Sequence, residues 1–272
     1  MPSEYQLKRD VKKLQQVADS VLFPRLAESD EEISKRNDIL SLFIQKAREL
    51  EGGEGKAVLD VNTLRDVFMN FVIAGWHTTA SFITWLSYVI AQYPEVQQKL
   101  YEELTKLNKT ALTYDDMKQL KYLDAVAMET MRLYPTLPFN MKIAAKDDYL
   151  PDGTFIPAGT EITYSPWYMG RHNPMWGDDP LVFRPERWLE LKTRPSAFEF
   201  PVFQAGPRIC PGMNLSLLET KMFVAVMLQR FHIKIQDGEQ VENRSYKMGT
   251  NLVMDNGLPL QMTPRKAAAP AS

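Results

Sequence analysis

The sequence predicts a mainly α protein with small β-hairpins. Three observations carry that prediction. Apolar residues recur at three- and four-residue spacing through most of residues 5–135, with charged residues on the faces between. From residue 142 the texture changes to short β-prone runs separated by the turn signals PDG and PAG. Near the C-terminus, Asn256-Gly257 sits between two alternating runs, a strong hairpin signal.

Taken in order, residues 5–27 and 31–50 each read as a helix, and EGGEG at 51–55 reads as a loop. Asp60 or Asn62 is placed to cap a long apolar helix over 60–93, and Pro94 marks its end. Residues 95–107 continue as a helix. A further helix is expected over 113–135, with Thr113 as N-cap and acidic residues in its first turn. Residues 142–165 form a hairpin region. The stretch 166–209 is rich in Pro, Gly, Trp and Arg and reads as long, ordered irregular structure, which in a compact domain is usually functional. An amphipathic helix follows over 214–231, a hairpin over 250–263, and a frayed tail over 265–272. No repeat or flexible linker splits the chain, so it reads as one domain over 1–272.

Composition excludes several function classes. A length of 272 residues, with 44% hydrophobic and 24% charged, is that of a globular chain able to bury a core. A net charge of -2 points away from nucleic acid. One cysteine excludes an internal disulfide framework, and His77, His172 and His232 lie too far apart in sequence to suggest a His-rich zinc site. The N-terminus is polar from the start, unlike a signal peptide or signal anchor. Residues 67–94 lack Lys, Arg, Asp and Glu, so a membrane span is one reading. Asn70, His77, Thr78, Thr79, Ser81, Thr84, Ser87 and Gln92 within it favour a helix buried in protein.

The lone cysteine lies in FQAGPRICPG, residues 203–212. A lone thiol is commonly a small buried hydrophobe. Here a predicted helix begins just after Cys210, so free backbone N–H groups and the positive helix end favour the thiolate. Gly206 and Gly212 allow a tight turn and close approach of a flat ligand, and Arg208 offers a cation for an anionic group on it. Thiolate ligation of haem iron suits this set, because it pushes electron density onto the iron.

The stretch resembles the haem-binding loop of cytochromes P450, Phe-x-x-Gly-x-Arg-x-Cys-x-Gly, at Phe203, Gly206, Arg208, Cys210 and Gly212. The resemblance implies haem b, with Cys210 as axial iron ligand, Arg208 on a haem propionate and Phe203 beside the sulfur. ETMR at 129–132 is similar to the family's Glu-x-x-Arg helix, and PERW at 185–188 to its later Pro-Glu-Arg segment. That implies a structural network of Glu129, Arg132 and Arg187. AGWHTTA at 74–80 resembles the middle of the family's long helix across the oxygen-binding face. There Thr78 would deliver protons to bound oxygen. His77 stands where the family usually has an acid. It is either a proton relay, which histidine can serve near neutral pH, or an ordinary core or groove residue. Lys142 falls where many relatives have a propionate-binding base, and a surface lysine is the alternative. The segments Pro138, Phe139, Asn140, Met141 and Gly249, Thr250, Asn251, Leu252 fall where the family lines its substrate pocket. Both are apolar or neutral, which suits a lipophilic substrate.

Residues 150–188 resemble the fatty-acid ω-hydroxylase group of the family. The fold expected is therefore the C-terminal portion of the cytochrome P450 fold, a single incomplete domain that lacks the early helices and most of the main sheet. The implied activity is insertion of one atom of O₂ into a C–H bond, with electrons from NADPH through a P450 reductase. A full-length relative would sit at the endoplasmic reticulum membrane. Three alternatives stand beside this reading: a P450 that rearranges hydroperoxides without a reductase, a non-catalytic remnant, and an integral membrane protein spanning at 67–94.

Overall fold

The computed structural model describes residues 2–51, 60–172, 174–236 and 245–265, in two units, Met1–Trp76 and His77–Ser272. The EGGEG loop and the tail expected over 265–272 fall almost wholly outside the described residues.

The first unit contains helix α1 (Pro2–Leu26), α2 (Asp30–Ser34), α3 (Ile39–Glu51) and the start of α4 (Val61–Gln92). Its core is formed by Leu22, Ile33, Leu40, Ile44 and Leu64. The single helix expected over 31–50 is two helices. Ser29 and Glu32 form a capping box that starts α2. Asp38 then takes the Ser41 N–H at 3.0 Å and starts α3, while Arg25 holds the same carboxylate at 2.5 Å. Asp60, rather than Asn62, caps α4 by accepting from the Thr63 N–H at 2.8 Å.

In the second unit, the remainder of α4 joins α5 (Pro94–Lys106), α7 (Lys121–Leu133) and α10 (Met213–Arg230) around a shared core that includes Phe82, Leu100, Val126 and Leu228. Pro94 ends α4 by serving as the first residue of α5, where its missing N–H costs nothing. The helix expected over 113–135 is divided. Thr113 caps a short α6 (Tyr114–Gln119) in a capping box with Asp116. The backbone then leaves the helical region at Leu120 (φ -78, ψ 79), which lets that side chain enter the core. The exposed end this creates is capped from another element. The Glu103 carboxylate on α5 accepts from the N–H groups of Tyr122 and Leu123, at 2.7 and 3.0 Å.

Two nested strand pairs follow: β1 (Asn140–Ile143) with β4 (Glu161–Tyr164), and β2 (Asp148–Tyr149) with β3 (Phe155–Ile156), both antiparallel. The stretch expected to be irregular does hold helical turns, namely α8 (Pro166–His172), α9 (Arg187–Glu190) and 3₁₀ turns at Pro174–Trp176 and Gly206–Arg208.

The hairpin expected over 250–263 is not formed. Asn256 and Gly257 do adopt positive φ, 60° and 76°, as a tight turn demands. Their flanking strands nevertheless pair elsewhere. β7 (Leu252–Met254) pairs with β6 (Tyr246–Met248), and β8 (Leu260–Pro264) with β5 (Phe231–Ile235). Burial decides this, because Leu252 and Met254 pack with Trp85 and Tyr88 of α4. Among the described residues no helix is long and apolar enough to cross a membrane. The span considered at 67–94 falls largely on α4 and is buried only in its later part: Phe82, Trp85, Leu86, Val89 and Ile90 lie in the protein core, whereas Phe71, Val72, Ile73 and Trp76 are exposed.

Candidate functional site

The loop 203–212 is closed by its own backbone. The Cys210 N–H donates to the Phe203 carbonyl at 2.8 Å, and the Ile209 N–H to Gly206 at 3.1 Å. Phe203 is half-buried against the main core and anchors the loop. Gly206 has φ +66, a left-handed conformation that glycine adopts without penalty. Gly212 differs from expectation. It is the N-cap of α10 at φ -86, ψ 4, and its backbone does not require glycine. What it leaves open is the space beside the sulfur, since a Cβ there would lie 3.8 Å from Cys210 Sγ. The half-buried thiol is thus displayed just before an 18-residue helix whose N-terminal end favours negative charge.

Arg208 and Lys142 are both exposed, and neither side chain makes a hydrogen bond or ion pair among the described residues. Their charges are available to a ligand. No group of three or more His, Cys, Asp or Glu among the described residues could hold a metal ion. A thiol at the start of a long helix, with the exposed cations Arg208 and Lys142, is a donor set that fits haem, whose remaining in-plane iron ligands belong to the macrocycle.

Glu129, Arg132 and Arg187 meet in the buried interior. Arg132 donates to the Glu129 carboxylate in bidentate fashion, both bonds at 2.8 Å, and Arg187 Nε adds one at 3.0 Å. Arg132 also reaches the carbonyls of Gly170 and Val182, and Arg187 that of Trp176. Three partners were not legible in the motif. Trp188 Nε1 donates to Glu129 at 2.9 Å, and the Arg184 N–H at 2.8 Å. Gly170 packs so closely that a Cβ would sit 2.1 Å from the Arg132 carbonyl oxygen. The network pins the 166–190 stretch, which precedes the cysteine loop, onto α7.

On α4, Thr78 is half-buried and Thr79 is buried. Thr79 Oγ1 donates to Ser216 Oγ at 3.1 Å, and Ser216 lies in the first turn of α10. The helix carrying Thr78 thereby meets the helix that follows Cys210. His77 lines a small cleft of about 170 Å³ with Ala80, Ser81, Thr84, Trp85, Val253, Met254 and Gly257. Thr78 is not part of that lining.

The second of the two segments expected to line a substrate pocket is tied to the residues just before the first, by the bond from the Leu252 N–H to the Thr136 carbonyl at 2.9 Å. Phe139, Met141 and Thr250 are exposed, Asn140 and Asn251 half-buried, and Pro138 buried. Leu252 departs from expectation. It is fully buried beneath Trp85, and its carbonyl accepts from Ser81 Oγ and Trp85 Nε1, so it anchors the segment instead of facing an open pocket.

A cytochrome P450 family model matches residues 2–261. Among curated proteins, the chain is 37% identical over 238 residues to cytochrome P450 CYP94D109 of Paris polyphylla, covering 84% of this chain and 45% of that protein. It is 36% identical to cytochrome P450 704B1 of Arabidopsis thaliana, over 85% of this chain and 48% of the relative. To cytochrome P450 94A1 of Vicia sativa it is 31% identical, over 97% and 51%. The chain spans about half the length of these curated relatives. A match over nearly its whole extent, together with the cysteine loop and the buried Glu129 network, places this chain in the cytochrome P450 family.

Proposed function

We propose that the whole protein is a haem-thiolate monooxygenase acting on a lipophilic substrate, a long-chain fatty acid or similar lipid, hydroxylated at its ω end. The observation that supports this best is the geometry of Cys210. A sole cysteine stands on a backbone-closed loop, with open space at Gly212 beside the sulfur and a long helix directly behind it. Similarity to several members of the 94 and 704 groups supports the same reading.

In this reading Cys210 would hold the haem iron through its thiolate, and Arg208 and Lys142 would neutralise the carboxylates of the bound group. Haem, when bound, supplies activation of O₂ and transfer of one of its atoms into a C–H bond. Thr78 holds a proton at its hydroxyl for delivery to the oxygen side. His77 offers a second proton-carrying group on the preceding residue, although it lines the cleft beside Val253 and Met254 of β7. A cleft of about 170 Å³ is smaller than the ~300 Å³ lower bound for small-molecule pockets, so His77 and its neighbours form only part of a lipid site. Phe139, Met141 and Thr250, all exposed, offer further apolar and neutral surface for a lipophilic substrate. Electrons come from NADPH through a P450 reductase, and the full-length form works at the endoplasmic reticulum membrane, where its lipid substrate partitions.

The test compares Cys210 with Cys210→Ser in the full chain supplied with haem. Reduction under carbon monoxide is expected to give a thiolate-type Soret band in the wild type and none in the variant. An equal band in both, or none in the wild type, refutes the assignment of Cys210.

A further inference from the structure

The second position of the loop motif is unspecified in the family pattern, yet Gln204 occupies it in an unusual way. Its backbone has φ +66, the left-handed region that non-glycine residues seldom adopt. Its side chain is held at both ends. Oε1 accepts from the Tyr164 hydroxyl, and Nε2 donates to Asn140 Oδ1. Asn140 and Tyr164 face one another as the terminal pair of the β1–β4 ladder. Both are half-buried, as is Gln204. Burial raises the Tyr164 hydroxyl above its ordinary range, so it stays a donor at neutral pH.

From this we infer that Gln204 is a positioning residue for Cys210: it clamps the cysteine loop to the last rung of the β1–β4 hairpin. The functional consequence rests on the haem-thiolate reading of Cys210. The lever is short. Gln204 directly follows Phe203, whose carbonyl receives the Cys210 N–H, and the Gln204 N–H itself is tied to the Pro201 carbonyl at 3.1 Å. Holding Gln204 therefore holds the acceptor that orients Cys210. The two side-chain bonds help to offset the conformational penalty of the left-handed backbone. β1 belongs to the segment expected to line the substrate pocket, so the clamp links that strand to the iron ligand.

Cys210 is the sole cysteine, so alkylation of the full chain by iodoacetamide reports on it alone. Gln204→Gly keeps the left-handed backbone and removes the clamp. Tyr164→Phe removes one hydroxyl and leaves the hairpin intact. Each is expected to raise the alkylation rate about fivefold, the effect of losing one or two ordinary hydrogen bonds on a local opening equilibrium. Each should also shift part of the reduced carbon monoxide spectrum from the thiolate type to the neutral-thiol type when haem is supplied. Gln204→Glu keeps the acceptor for Tyr164, and a turned Asn140 amide can donate to its second oxygen. Rate and spectrum should then return to wild-type values. Wild-type alkylation in either Gln204→Gly or Tyr164→Phe, or failure of Gln204→Glu to restore it, overturns the clamp. Absence of a thiolate-type band in the wild-type chain counts against the haem reading alone, and the alkylation rates still decide whether the clamp exists.

Discussion

Five donors converge on Glu129: two from Arg132, the backbone N–H of Arg184, Nε of Arg187 and Nε1 of Trp188. Glu129 and Arg132 are fully buried, and Arg187 nearly so. Such a group is tolerable only as a complete set, because each charge depends on the others for solvation. Glu129→Ala leaves two buried guanidinium groups without their carboxylate. It should lower the unfolding free energy by about 3–5 kcal/mol. Chemical denaturation measures this, and a loss under about 1 kcal/mol, the scale of exposed pairs, would falsify the view that the network is structural. The i, i+3 spacing of Glu129 and Arg132 was legible in the sequence. The parts played by Gly170 and Trp188 were not, since they lie about 40 and 60 residues further along the chain and carry no local signal.

At the scale of elements, helix ends were set partly by local chemistry and partly by distant side chains. Thr113 was legible as a cap, and the reciprocal bonds with Asp116 complete its capping box. The Asp116 carboxylate is held down to about 2, first by the Lys109 ammonium at 2.7 Å and then by Thr113. The folded value lies below the ordinary 3.8, so this contribution is present above that value and is lost as pH falls toward about 2. The gap in thermal unfolding midpoint between wild type and Asp116→Asn should therefore close over that acid range. A gap that stays constant with pH argues against the ion pair. The start of α7 illustrates the other case. Its cap is Glu103, nineteen residues before Tyr122, and only the packing of α5 beside α7 reveals it.

For the molecule as a whole, the two units differ in the depth of their cores. Among the described residues the first is built on a small cluster of Leu22, Ile33, Leu40, Ile44 and Leu64, and α1 leaves Tyr5, Leu7, Val17 and Phe23 exposed. The second surrounds α7 with apolar residues of α4, α5 and α10, and the run from Ala125 to Leu133 is buried throughout. Local opening is easiest where few apolar contacts must be broken. In native-state hydrogen exchange, the amides of α7 should exchange at least an order of magnitude more slowly than those of α1. Comparable rates in the two helices count against a difference in core stability.

By itself the sequence determined the helix periodicities, the capping residue Thr113, the pair Asp60 and Asn62 from which the α4 cap is drawn, the cysteine loop and the spacing within ETMR. These are local patterns, read from neighbours within a few residues, and neighbours a few residues apart in the chain stay close in space. Only the tertiary structure decided that β7 and β8 part company at Asn256-Gly257, that Leu252 is buried beneath Trp85, that Glu129 gathers further donors from Arg184 and Trp188, and that Gln204 joins the cysteine loop to β1 and β4. In each of these the deciding partner is remote in sequence. Burial of apolar surface and satisfaction of buried polar groups are settled by what the folded chain brings alongside.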